Sequence, residues 1–148
     1  MRTFTLEEAN AQVPALTEIF KRIFELRGRL RALYQKLDDR RFAPVGDDFE
    51  PTIPGAPADV VRDRTLFKGM VELVRADVAS VLELGCVIKD IDIGLVDWFA
   101  ESGDDEVLLC WRFGEREVGF FHSLEAGFAG RRPVSELRPP RRPERQLH

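Results

Sequence analysis

The sequence predicts an α+β fold: a long antiparallel helical hairpin followed, at its C-terminal side, by a small antiparallel sheet of three or four strands. Three observations carry this expectation. Apolar residues recur every three or four positions along two stretches of the first 85 residues. A segment dense in proline and glycine separates the two stretches. After Gly85 the pattern changes to short runs rich in β-branched and aromatic residues, bounded by turn residues.

The first helix is expected over about residues 5–40. Thr5-Leu6-Glu7-Glu8 reads as a capping box, in which hydroxyl and carboxylate each satisfy a backbone N–H at the helix start. Pro14 falls inside the pattern, where it removes a donor and crowds the preceding turn, so a kink or a break is expected there. Val13, Leu16, Phe20, Ile23, Leu30, Tyr34 and Leu37 form the seam, and Ile19, Phe24, Leu26 and Leu33 widen it. Residues 42–57 hold Pro44, Gly46, Pro51, Pro54, Gly55 and Pro57 and read as a loop. A second helix is expected over about 58–84, with Gly85 as its C-terminal stop. Two such helices joined by a loop imply an antiparallel pair.

The β module is expected over about 86–133. Its runs are Cys86–Lys89, Gly94–Phe99, Val107–Arg112 and Glu117–His122. If Gly114-Glu115 is a two-residue turn, Arg112 faces Glu117, Trp111 faces Val118 and Val107 faces His122. That register puts His122 on one face with Leu109, Trp111, Val118 and Phe120. Residues 139–148, with three prolines and three arginines, read as a disordered basic tail after a single domain spanning 1–138.

Composition excludes several classes. Two cysteines are too few for a disulfide framework, and no apolar run reaches the roughly 18–20 residues of a membrane span. The opening residues turn acidic at once, against a signal peptide, so a cytoplasmic location is expected. The net charge of −4 is unevenly spread: residues 86–130 hold 3 basic and 10 acidic side chains, whereas residues 21–41 hold 8 basic and 3 acidic. An acidic module beside basic ones suggests contact within the chain or between copies, not a dedicated nucleic-acid binder.

Particular residues resemble a known family. Phe4-Thr5-Leu6-Glu7-Glu8-Ala9-Asn10 followed by Pro14 is similar to the opening of the bacterial family called domain of unknown function 2203. The resemblance continues through Lys89-Asp90-Ile91-Asp92, Gly94-Leu95-Val96-Asp97, Leu109-Cys110-Trp111, Gly114-Glu115, His122 and Gly127-Phe128-Ala129-Gly130-Arg131-Arg132-Pro133. It covers nearly residues 4–133. It implies a bacterial domain and assigns no activity.

The sharpest chemical candidates lie in the acidic module. Asp90, Asp92, Asp97, Glu115 and His122 are ligand types for a divalent metal, and Asp90, Asp92, Glu115 and His122 are the candidates for acid–base catalysis. The plainer reading of Asp90 and Asp92 is a turn, whose aspartates bond to their own backbone. Cys86 and Cys110 lie in apolar strand contexts and read as buried thiols rather than zinc ligands. Arg131 and Arg132 are candidates for anion binding, or for an ion pair with the acidic module. Nucleophile, Walker and dinucleotide motifs are absent.

The reading these observations favour is a non-enzymatic interaction module that forms a homodimer, with no cofactor expected. Its surface would be Ile19, Phe20, Ile23, Phe24, Leu26 and Leu30, which cover more than one helix face. The alternative is a protein or enzyme that binds a divalent metal through the Asp/Glu/His set. Nucleic-acid binding through the basic helix face of Arg22, Arg29 and Lys36 ranks third.

Overall fold

The hairpin and the sheet form as expected in the computed structural model, which describes residues 2–46 and 48–140. Helix α1 spans Leu6–Asp39 and helix α2 spans Ala58–Glu83. Five strands follow: β1 Val87–Asp90, β2 Leu95–Ser102, β3 Asp105–Arg112, β4 Phe120–Ser123 and β5 Arg132–Pro133. The chain divides into two compact units, one of residues 19–80 and one of residues up to 18 together with those from 81 onward. Most of the expected tail, residues 141–148, lies outside the described residues.

The 19–80 unit is the body of the hairpin. Phe20, Ile23, Leu37, Val60 and Met70 are buried along its seam, which follows the three-and-four spacing of the sequence. Arg22–Asp77, Lys36–Asp63 and Arg40–Asp59 bridge the helices at 2.8, 2.9 and 2.6 Å and set them level with one another. The connecting loop is tied down by one buried arginine. Arg64 donates to the carbonyls of Phe42, Pro51 and Glu50, and Lys68 donates to that of Phe49. Three carbonyls on one guanidinium satisfy a charge that would otherwise be costly to bury.

In the other unit the capping box forms as read: Thr5 N–H donates to Glu8 Oε1 at 2.9 Å and Glu8 N–H to Thr5 Oγ1 at 3.1 Å. The Thr5 backbone bond, then Arg2, holds the Glu8 carboxyl below its ordinary pKa. Pro14 does not break α1, which is helical on both sides of it. Gly85 ends α2 at φ 96°, and a Cβ there would stand 2.5 Å from the Phe4 ring. Both the left-handed backbone and the close ring require glycine.

The sheet is antiparallel throughout, in the order β1-β2-β3-β4-β5. It has one strand more than expected, because β5 is a two-residue pairing with Pro133 in it and carries no strand pattern of its own. The β3–β4 register also differs from the expected one. Val107 pairs with Ser123, Leu108 with His122, Leu109 with Phe121 and Cys110 with Phe120. The reason is the connection. Residues 113–119 are not a two-residue turn: Trp111 Nε1–H donates to the Glu115 carbonyl, and the Glu115 carboxylate accepts the Arg112 N–H. Val118 N–H donates to Asn10 Oδ1 outside the ladder. The expected Arg112–Glu117 pair is therefore not made. A slip of one residue moves every side chain of β4 to the other face.

Candidate metal centre on the sheet

The corrected register brings three polar side chains together. Asp97 on β2 lies opposite Cys110 on β3, and His122 on β4 shares their face one pair further along. One ligand atom from each of Asp97, Cys110 and His122 lies within 4.8 Å of the others, the one such trio among the described residues. All three are buried, at 1%, 0% and 2% exposure. Each sits in an apolar run: Leu-Val-Asp-Trp-Phe, Leu-Leu-Cys-Trp and Phe-Phe-His. Strand alternation points the three polar side chains to one face of the sheet, opposite to the adjoining Val96, Trp98, Leu109, Trp111 and Phe121.

The hydrogen bonding around His122 is informative. Nδ1 is 2.7 Å from the Ser123 carbonyl oxygen and Nε2 is 3.0 Å from Asp97 Oδ2. A carbonyl only accepts, so Nδ1 carries a proton and donates it. Nε2 then faces a carboxylate, an arrangement satisfied by a second ring proton or by a cation. Asp97 Oδ1 is buried without a hydrogen-bond partner. Burial, and then the negative charge of Asp97, push the Cys110 thiol up to about 12. Arg131 pulls that thiol the other way and Glu115 adds to the rise.

Those two residues form a pair of their own. Arg131 Nη2 donates to both oxygens of Glu115, at 2.9 and 2.8 Å. The Arg131 guanidinium carbon lies 4.0 Å from the centre of the Phe120 ring and 4.6 Å from that of Phe128. Phe120 is the cross-strand neighbour of Cys110. Arg131 thus lies over the cluster's side of the sheet, anchored by a stacked and forked contact.

The other sequence candidates stay apart from this cluster. Asp90 Oδ1 accepts the Asp92 N–H at 2.9 Å, an Asx turn between β1 and β2. Glu115 is engaged with Arg131 and the Arg112 backbone. The expected metal set of Asp90, Asp92, Asp97, Glu115 and His122 is therefore not one constellation; the trio keeps Asp97 and His122 and adds Cys110 in place of Asp90, Asp92 and Glu115. Arg132 pairs with Glu136 at 2.9 Å, so both candidate anion-binding arginines have carboxylate partners within the chain. Arg22 and Lys36 of the basic helix face pair with Asp77 and Asp63. Of the expected interaction surface, Phe20 and Ile23 are wholly buried within the chain, whereas Ile19, Phe24, Leu26 and Leu30 are half-buried. Both cysteines are free and buried, and Cys86 donates to the Val81 carbonyl.

Cys110 is the residue that sequence reasoning set aside. The signal for it was present: a polar side chain within or at the end of each of three apolar runs. Only the register shows that the three meet.

Among the described residues, no helix is long and apolar enough to cross a membrane. No curated protein and no solved structure matches the chain. A family model described as "Uncharacterized conserved protein (DUF2203)" matches residues 2–134, nearly the whole chain. With that match and the motifs on β2, β3 and β4, this chain belongs to the DUF2203 family.

Proposed function

We propose that this protein binds a divalent cation of the zinc class through Asp97, Cys110 and His122. The observation that carries this reading is the meeting of three different ligand types, sealed from solvent, around a carboxylate oxygen that has no partner. A thiolate, an imidazole and a carboxylate suit a borderline metal better than calcium or magnesium. Donors held tetrahedrally at about 2.0–2.3 Å stand roughly 3.3–3.8 Å apart. Atoms already within 4.8 Å close on such an ion by small side-chain movements.

Charge supports a cation of +2. An Asp97 carboxylate and a Cys110 thiolate, with a neutral His122 imidazole, balance a +2 ion, so the bound site would carry no net charge. The Nδ1–H bond to the Ser123 carbonyl fixes the ring with Nε2 toward the ligand position, as the outer partner of a metal-bound histidine does. One ligand from each of three neighbouring strands makes the ion a staple across the sheet. The enclosure of all three favours this binding role over acid–base catalysis on a substrate.

The test is cobalt(II) added to purified full-length protein stripped of metal. The expected result is one equivalent bound, with sulfur-to-cobalt charge-transfer absorption in the near ultraviolet. Cys110→Ser abolishes that absorption and Cys86→Ser preserves it. Absorption that survives Cys110→Ser, or no stoichiometric binding of either cobalt or zinc, overturns the proposal.

A further inference from the structure

Two buried side-chain atoms among the described residues have no hydrogen-bond partner: Asp97 Oδ1, an acceptor, and Arg131 Nε, a donor. A cation satisfies the first and does nothing for the second, because an N–H needs a lone pair. Strand alternation puts both residues on one face of the sheet. Arg131 has extended backbone, φ −59° and ψ 138°, directly before β5. Arg132 stacks on Phe121 on the tryptophan face, so Arg131 turns to the other face, that of Asp97 and Cys110. There it stacks on Phe120, the cross-strand neighbour of Cys110, and its charge reaches the thiol. Nη2 is engaged by Glu115, which leaves Nε buried without an acceptor.

On the basis of the metal centre, we infer that Arg131 Nε–H donates to a small anion bound as the fourth ligand of the ion. Three protein ligands leave a tetrahedral ion of the zinc class one further position for an exogenous ligand. A lone pair there satisfies the donor that the metal does not. A guanidinium N–H binds an anion more strongly than it binds neutral water. The trio is at most 2% exposed, whereas the side chains of Arg131 and Glu115 keep 14% and 26%, so the approach from solvent runs along this pair. Phe120 and Phe128 crowd the guanidinium, at 4.0 and 4.6 Å, and restrict the ligand to a few atoms.

Azide titrated into the cobalt-loaded full chain tests this. The expected result is a saturable shift of the visible cobalt bands, with one azide per ion, while the sulfur-to-cobalt absorption persists. Arg131→Met keeps the stem and removes the donor, and weakens azide about tenfold at unchanged cobalt stoichiometry. Glu115→Gln leaves Nε in place and still binds azide. A protein with no sulfur-to-cobalt absorption overturns the metal reading and this inference with it. With that absorption present, the lack of any azide response overturns this inference alone. Equal azide affinity in the unmodified protein and in Arg131→Met overturns the role of Arg131. Arg131→Lys, which keeps the charge but has no N–H at the Nε position, is read in the same way should Arg131→Met fail to fold.

Discussion

The two faces of one sheet differ by a single residue step and carry different chemistry. On one face lie Val96, Trp98, Leu109, Trp111 and Phe121; on the other lie Asp97, Cys110 and His122. Both are sealed from water to the same degree. On the first face each polar atom of the indoles is satisfied: Trp98 Nε1–H donates to Gln12 Oε1 at 2.7 Å and Trp111 Nε1–H to the Glu115 carbonyl at 3.0 Å. On the second, Asp97 keeps an unpartnered oxygen and His122 points a ring nitrogen at a carboxylate. Burial alone therefore does not separate core from site. Polar satisfaction does, because an unsatisfied buried group persists only where something offsets its cost.

The contrast can be broken by mutation. Trp98→Ala empties the apolar face and is expected to cost about 3–5 kcal/mol, by the same amount with and without zinc. Chemical denaturation in both conditions measures it, and a zinc-dependent cost would mean that the two faces are not independent. His122→Ala on the polar face leaves Asp97 buried without its ring partner, at a cost of about 3 kcal/mol in metal-free protein. The double change Asp97→Leu with His122→Leu is expected to cost less than the sum of the two single changes, since no orphaned charge remains. In the unmodified protein, zinc at about one hundred times its dissociation constant adds about 2.7 kcal/mol, and His122→Ala removes that gain. Additive single and double costs would show that Asp97 and His122 do not act as a pair.

How much of this was legible before the structure depends on how local the signal was. Capping at Thr5 and Glu8, the stop at Gly85 and most of the hairpin seam rest on neighbours a few residues apart and are found where the sequence put them, although Tyr34, expected in the seam, is exposed. The sheet site rests on register, which the sequence leaves to the connection between strands. The seven residues 113–119 can close in many ways, and the choice is made by contacts such as Asn10 to Val118, 108 residues apart. A one-residue error there placed His122 on the face of Leu109 and Trp111 instead of that of Asp97. Asp97 itself stood among the candidates, but its true partner was a cysteine read as inert.

Glu115 and Arg131 sharpen the comparison at lower energy. Glu115→Gln keeps the size of the side chain but removes the charge that Arg131 forks onto, beside a cluster it does not ligate. Both side chains are partly open to water, so the expected loss is about 1 kcal/mol. Cobalt stoichiometry stays at one, because none of the three ligands is touched. A variant that no longer binds cobalt would move Glu115 from the supporting pair into the ligand set.

The smallest effect separates the two thiols. Cys86 lies outside the cluster and donates to the Val81 carbonyl, and burial pushes its pKa from 9.0 up to about 11. Above pH 9 the unfolded chain sheds this proton while the folded chain keeps it. The folded state then binds more protons than the unfolded one, so stability falls as pH rises from 9 toward 11. Below pH 9 both states hold the proton and the group contributes no slope. Cys86→Ala removes this titration, so its stability is expected to decline less steeply over the same interval while its behaviour at pH 7 shows only the small loss of packing. Denaturant midpoints at half-unit steps of pH, on both proteins, measure the difference. Equal slopes above pH 9 would mean that the thiol ionises as readily in the folded protein as in the unfolded chain, against its burial and its bond to Val81.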